Sequence, residues 1–140
     1  MRHRILSVTV TLVLALGTAV LADPPTVNIQ PQATLDQLTD PVFGGPPINI
    51  GVLVTVVVDC GDPDPTEFQL NVGVRQGDVT AESGEVHFPS TGGRQVVTVD
   101  VFGPFNPGDG IATAALACGG TTLPLLEGLQ LGQRINITEP

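Results

Sequence analysis

The sequence predicts an all-β fold, an antiparallel β-sandwich of about seven short strands with one disulfide between its sheets. Apolar and polar residues alternate with a period of two over several short runs. Turn-forming residues, among them 17 Gly and 13 Pro, separate these runs at intervals of roughly ten residues. The two cysteines, Cys60 and Cys118, each close an apolar run. Together these features are typical of two sheets packed face to face.

Residues 1–22 are expected to be a cleaved secretory signal peptide. A basic start, Met1–Arg4, precedes an almost wholly apolar run, and Val20-Leu-Ala22 ends it with a small residue before the cut. Cleavage leaves residues 23–140 as one domain. An uncleaved membrane anchor is the alternative, because the apolar run is close to the shortest spanning length of about 17 residues.

The acidic composition limits the partners. The chain has 14 acidic and 5 basic residues and a net charge of −9, and two of its arginines lie in the predicted signal. Such a surface repels nucleic acid and anionic headgroups. We therefore expect no nucleic-acid partner, no membrane contact after cleavage and no cofactor. The expected partner is an extracellular protein or cell-surface component, and the expected location is secreted, with association to the cell wall as one form of it.

Cys60 and Cys118 are predicted to form a disulfide, because an exported chain reaches an oxidising compartment. Closing so long a loop stabilises the fold by about 4 kcal/mol in the chain-entropy model. Free thiols and an intermolecular bridge are the alternatives. A metal site built on the cysteines is disfavoured, because His87 is the only histidine after the signal.

The first half of the domain is predicted to hold a short strand, a loop and the central strand. Val27–Pro31 alternates, and Pro31 marks an edge or a bulge. Gln32–Pro47 is expected to be a loop with one helical turn at Ala33–Leu38, because breakers are frequent there. Ile48–Cys60 is the central strand. Period two places one parity of it inside: Val52, Val54, Val56, Val58 and Cys60.

Five further strands are predicted between turn-rich connections. They cover residues 68–75, 84–89, 95–101, 111–118 and 128–137. Phe102–Gly110 is a long link rich in Gly and Pro. In the last strand the apolar residues of one parity are expected to face inward: Leu129, Leu131, Ile135 and Ile137.

The wide spacing of Cys60 and Cys118, and the run Pro107–Cys118 before the second cysteine, resemble those of immunoglobulin-like domains. The resemblance implies an immunoglobulin-like antiparallel β-sandwich whose disulfide joins opposite sheets. Two positions depart from the antibody pattern. No Trp follows Cys60 at the expected distance, and Leu116 stands where a corner Tyr would lie.

More of the chain resembles small secreted immunoglobulin-like proteins of actinobacteria whose role is uncharacterised. The shared features are the signal peptide and several strand motifs: Val54–Cys60, Val74–Gln76, Val97–Val101, Gly103–Gly108 and the alanine-rich run to Cys118. The resemblance covers most of residues 23–140. It implies a structural role for these motifs and supplies no catalytic residues.

One acidic concentration is a candidate calcium site. It consists of Asp59, Asp62, Asp64 and Glu67. Hard cations take several oxygen ligands, and extracellular modules bind Ca²⁺ weakly through such turns. The alternative is a solvated Asp-Pro turn.

Catalysis is not expected. His87 is the one possible imidazole base, and Ser83 and Ser90 are its nearest hydroxyls in sequence. Nucleophilic catalysis needs a base within hydrogen-bond reach and a group that orients it. The chain contains no Gly-x-Ser-x-Gly elbow. We therefore expect no enzyme.

Binding is the remaining function. Phe43, Phe102 and Phe105 lie in Gly- and Pro-rich loops, where rigid aromatic side chains can anchor a partner. The alternative is that they fold back as lids over the sandwich ends. The sequence thus favours a secreted, non-enzymatic structural or interaction module. A second hypothesis is a small-molecule carrier similar to secreted immunoglobulin-like chromophore-binding apoproteins, which would need an apolar cavity of several hundred Å³.

Overall fold

A computed structural model describes residues 25–61, 66–119 and 126–140, with backbone only for 126–128. The predicted signal peptide lies outside these residues. The described part is all-β and contains no helix. It has eight strands: β1 Thr26–Leu38, β2 Ile48–Asp59, β3 Glu67–Gln76, β4 Val79–Glu82, β5 Val86–Pro89, β6 Arg94–Phe102, β7 Gly108–Gly119 and β8 Leu126–Thr138. Consequently no described segment offers a helix that would be long and apolar enough to cross a bilayer.

The eight strands form one continuous, curled, mixed sheet. Its order is β4-β3-β7-β8-β1-β2-β6, and β5 pairs with β3 beside β4. The pair β1–β8 is parallel, and the other pairs are antiparallel. The predicted all-β fold is confirmed, but the predicted antiparallel sandwich of about seven strands is corrected in its pairing. β4 was missed, and β1 joins the two halves of the sheet through its parallel partner β8.

The concave side of the curled sheet holds a single apolar core. In β2 the buried residues are those of the predicted parity: Val52, Val54, Val56, Val58 and, just beyond the strand, Cys60. Residues of β3 and β7 complete the cluster from the opposite half of the sheet: Phe68, Leu70, Val72, Val74, Ala112, Ala114, Leu116 and Cys118. No charged or polar residue of the described chain is buried.

Cys60 and Cys118 form the predicted disulfide. Their Cα atoms lie 5.7 Å apart, and both residues are buried in the core cluster. Cys60 directly follows β2, whereas Cys118 lies near the end of β7. The bridge therefore connects two strands that are not neighbours in the sheet, and it holds the two halves of the curl together.

β1 is much longer than predicted. The expected loop and helical turn at Ala33–Leu38 are wrong, because this segment pairs with β2 along one edge, and its first residues also pair with β8 along the other. Ala33 and Leu35 are buried. The register shifts between Ile29 and Ala33, so Pro31 does lie in a bulge, as predicted. The Ile29 amide there donates to Gln130 Oε1 at 2.6 Å.

The set of alternate residues that faces the core changes part-way along β8. Opposite β7 the pairing jumps from Ala112–Gln133 to Ala114–Gln130, so β8 carries extra residues at this point. Gly132 lies in this bulge with φ of +69°, a conformation that favours glycine. Ile135 and Ile137 are buried, but Leu129 and Leu131 are 65% and 72% exposed. The prediction that both leucines face the core is wrong for this reason.

Candidate binding surface

Exposed large hydrophobic side chains concentrate where β1 turns into β2. Five of them lie on this hairpin or at the adjacent end of β6: Leu38, Val42, Phe43, Ile48 and Phe102. We call these five residues the apolar end. Phe43, at 89%, is the most exposed large hydrophobic residue of the described chain. Clustered exposure of this kind marks interaction surfaces, whereas single exposed apolar residues are ordinary.

Strand pairing brings members of the apolar end together. Leu38 and Ile48 are direct cross-strand partners at the ends of β1 and β2. Phe102 pairs with Gly51 of β2, on the side of β2 away from β1. Gly51 is required here, because a Cβ atom would lie 2.7 Å from Asp100 Oδ1 and 2.8 Å from the Val101 carbonyl oxygen. Residues distant in sequence thus meet at one end of the sheet.

The loop that carries Phe43 is held by Asp40. Its Oδ1 accepts hydrogen bonds from the amides of Val42 at 2.8 Å and of Phe43 at 3.1 Å. The amide of Gly44 donates to the Asp40 carbonyl at 3.2 Å. Such side-chain-to-backbone bonds mimic a backbone turn. The exposed aromatic ring is therefore presented on an ordered turn, which reduces the entropy lost on binding.

A carboxyl pair lies beside the apolar end. Partial burial, a hydrogen bond with Asp36 and charge repulsion from Asp36 together raise the pKa of Asp100 to about 6. Asp100 Oδ1 is buried and receives no N–H or hydroxyl donor from the described residues. Two carboxyl groups can bond only when one of them carries a proton. Asp100 therefore keeps its proton to a higher pH than an ordinary aspartate does.

Phe105 is not part of the binding surface. It is fully buried, and its carbonyl oxygen accepts a hydrogen bond from Asn49 Nδ2 at 3.1 Å. The prediction of Phe105 as an exposed anchor is corrected: the residue covers one end of the core, as the lid alternative expected. Phe43 and Phe102 are exposed, so they stay candidate anchors.

The acidic turn is described only in part. Asp62 and Asp64 lie outside the described residues. Asp59 accepts a hydrogen bond from the Gly61 amide at 2.9 Å, which closes a local turn. Glu67 begins β3 and is exposed. No group of three or more metal-ligating side chains occurs within the described ranges. Calcium binding by these four residues stays a prediction.

Ser83 and Ser90 do not form hydrogen bonds with His87 among the described residues. His87 is exposed on β5, opposite Gln69 of β3. Ser83 Oγ donates to the Gly84 carbonyl at 2.8 Å and accepts from the Val72 amide at 3.0 Å. Ser90 Oγ accepts from the Gly92 amide. Within the described part of the chain, no hydrogen bond joins His87 to either serine, and both hydroxyls serve the backbone.

Three surface depressions lie on the outer side of β3 and β7, with residues of β8 at their rims. Their volumes are about 270, 310 and 540 Å³. Leu129 lines the first, and Gly132 lines the other two. Sequence reasoning missed this face, because it placed Leu129 and Leu131 in the core. All three depressions are open and lie outside the curl, so they differ from the enclosed apolar cavity that a carrier would need.

Comparison with known proteins identifies no family for this chain. No protein-family model matches it, and no curated protein is significantly similar to it.

Proposed function

We propose that the protein is a secreted, non-enzymatic interaction module that binds an extracellular protein or cell-surface component through the apolar end. The observation that carries the proposal is the clustering of Leu38, Val42, Phe43, Ile48 and Phe102 in solvent. A buried aromatic anchor surrounded by smaller apolar contacts is the usual centre of a protein interface. Phe43 is the natural anchor, because Asp40 holds its turn in place.

The charges beside the apolar end define the partner's chemistry. Asp36 and Asp100 lie on strands that enter this end of the sheet, and Asp40 lies in the loop itself. An apolar patch with carboxylates at its rim fits a partner whose apolar protrusion carries Arg or Lys around it. The net charge of −9 acts in the same direction over longer range.

We propose that the curled all-β sheet is an immunoglobulin-like sandwich. One half of the curl consists of β6, β2 and β1, and the other of β8, β7, β3 and β4. The bridge from Cys60 to Cys118 links these halves, as in the domains that the sequence resembles. β1 contributes to both halves through antiparallel pairing with β2 and parallel pairing with β8. Secretion is supported by the predicted signal peptide and by the disulfide.

Two observations favour a binding module over a carrier or an enzyme. Phe68, Phe105 and aliphatic residues of the strands form one contiguous buried cluster inside the curl. The described depressions lie on the outer side of the sheet rather than within the core. Neither arrangement offers an enclosed site for a small ligand or for catalysis.

A pull-down with a point variant tests the proposal. The oxidised protein, exported from the full chain, is immobilised and incubated with culture supernatant and solubilised cell wall. We expect a stoichiometric partner that Phe43→Ser loses and that Leu131→Ser retains, because both residues are exposed but only Phe43 belongs to the apolar end. A partner lost equally with both variants, or retained by Phe43→Ser, would contradict the proposal. A co-purifying small molecule would instead support the carrier.

A further inference from the structure

The two edges of the curled sheet differ in length and in protection. At one edge lie β4 and β5, four residues each, and β5 ends in Pro89. At the other lies β6, which is nine residues long. β6 pairs with β2 through nine consecutive residue pairs without a bulge. It contains neither Pro nor Lys. Short strands, prolines, bulges and charged side chains are the usual protections of an edge. β6 has charged side chains only near its two ends, Arg94 and Asp100, so its middle is unprotected.

The free edge of β6 presents a regular row of backbone groups. The Gly103 amide donates to the Ile50 carbonyl at 2.9 Å, immediately beyond the ladder. In an antiparallel pair only alternate residues bond their partner. The odd-numbered residues of β6 therefore point their N–H and C=O groups at β2. The even-numbered residues point theirs at the free edge: Arg94, Val96, Thr98, Asp100 and Phe102. Among the described residues, no strand other than β2 pairs with β6.

The side chains along this edge include an exposed arginine at one end and, at the other end, two neighbouring carboxyl groups that have no cationic partner. Arg94 is exposed, and although Asp59 is its cross-strand partner in β2, the Arg94 side chain forms no ion pair or hydrogen bond with any described residue. Six residues further along β6, the Asp100 carboxyl lies next to that of Asp36. No cationic side chain of the described chain lies within ion-pair distance of either carboxyl. Within the described part of the chain, β6 thus carries an arginine without a salt bridge at one end and an aspartate without a cationic neighbour at the other.

We propose that β6 pairs antiparallel with β6 of a second copy of this chain, with the twofold axis at Val97. In this register Arg94 of each copy lies opposite Asp100 of the other, and Val96 lies opposite Thr98. These are residues that point their backbone groups at the free edge, so the pairs Arg94–Asp100 and Val96–Thr98 are hydrogen-bonded pairs. The two ion pairs form on the outer face, each next to a carboxyl pair.

A second copy is the occupant that the charges favour. The arrangement is self-complementary about one point of one strand, as a twofold interface requires. If the twofold axis passed through Thr98 instead of Val97, Arg94 would lie opposite Phe102, and Asp100 would lie opposite Val96. Both ion pairs would then be lost. The proposed ladder ends at Asp100 and leaves Phe102 free. Asp100 takes part in both proposals, but Phe43 lies outside the ladder, so Phe43→Ser should leave self-association unchanged and the two proposals can fail separately.

Sedimentation of the oxidised protein tests the dimer, with matched variants as controls. We expect a concentration-dependent monomer–dimer equilibrium in the micromolar range or above. Val96→Lys should weaken it at least tenfold, since lysine at an edge disfavours strand pairing. Leu129→Lys is the control: Leu129 and Val96 are both 65% exposed, but Leu129 lies on β8. A wild-type protein that stays monomeric at 1 mM, or a dimer that survives Val96→Lys unchanged, would overturn the proposal.

A charge exchange tests the register. Arg94→Asp and Asp100→Arg should each weaken the dimer, because each places like charges opposite one another. The double variant restores opposite charges and should regain at least part of the affinity. Arg75→Asp, which changes an exposed arginine of β3, should leave the equilibrium unchanged. Circular dichroism confirms that each variant is folded. A double variant that dimerises more weakly than both single variants would overturn the register.

Discussion

β2 and β8 are both long strands with apolar residues at alternate positions, but only β2 keeps one parity inside. Its pairs with β6 run without interruption from Gly51 to Asp59, and every second residue is buried. β8 contains a bulge at Gly132, beyond which Leu129 and Leu131 face solvent. Periodicity therefore assigns faces only where the register is continuous, since one extra residue turns the following side chains to the other side.

The largest loss of stability is expected from removing the disulfide at the end of β2, where Cys60 is bonded to Cys118. Replacing both cysteines by alanine should lower the free energy of unfolding by about 4 kcal/mol, because the unfolded chain regains the freedom that the closed loop restricts. Chemical denaturation of the variant and of the oxidised protein measures the change. Because the bridge joins strands that are not neighbours, a change below about 1 kcal/mol would contradict its role in holding the two halves together.

Truncating an apolar side chain to alanine should lower the free energy of unfolding by very different amounts in the two strands. Val54→Ala in β2 should cost about 2–3 kcal/mol, because it removes two fully buried methyl groups and leaves a cavity. Leu131→Ala in β8 removes more atoms but should change stability by less than about 0.5 kcal/mol, since the side chain is exposed. Urea unfolding of both variants gives the comparison. Equal losses would show that the parity reversal in β8 is wrong.

The bulge itself can be probed at Gly132. Gly132→Ala should cost about 1–2 kcal/mol, because an L-residue is strained at φ of +69°. Gly132→Asn should cost less, because asparagine tolerates this conformation better. The space around the position is open, so strain rather than collision accounts for the loss. Thermal melting of the two variants provides the test, and an alanine variant as stable as the wild type would contradict the bulge.

The smallest effect concerns the carboxyl pair beside β2. The folded-state pKa of Asp100 is about 6, above its ordinary value of 3.8, so its contribution to stability is greatest at low pH and is lost as the pH rises from about 4 to 6. Solvent screens this partly exposed group, so the loss should be about 1 kcal/mol. Asp100→Asn should be more stable than the wild type above pH 6 by that amount, and its stability should vary less with pH.

The control for this prediction is Asp78→Asn, a change in the exposed turn between β3 and β4. It should leave the slope of stability between pH 4 and pH 6 unchanged. Denaturation at a series of pH values compares the two variants. An Asp100→Asn slope equal to that of the wild type would show that the pKa of Asp100 is not raised in the folded protein.

Local patterns predicted the strongest parts of the fold. The parity of β2 agreed with its cysteine, and Pro31 marked a bulge that the structure contains. Ala33–Leu38 was predicted as a helical turn within a loop, because breakers are frequent over Gln32–Pro47. It forms a strand because β2 and β8 offer backbone partners on its two edges. Such pairing comes from residues far away in the sequence, so no local pattern contains it.

The candidate surface was predictable only in part. Phe43 and Phe102 were candidates because aromatic residues in Gly- and Pro-rich segments are unusual. Phe105 shared that pattern, but it lies in the core and bonds Asn49 of β2. Asp36 and Asp100 carried no signal at all, since they are remote in sequence and meet only across β2 above Gly51.

By itself the sequence determined an acidic, all-β chain with a period-two core and one disulfide, because composition, alternation and cysteine placement are properties of single segments. The tertiary structure decided how the sheet closes, which leucines face solvent and which strand edge stays open. Those outcomes depend on register and pairing between distant segments. A bulge of one strand, or a partner on one edge, changes them without changing any local pattern.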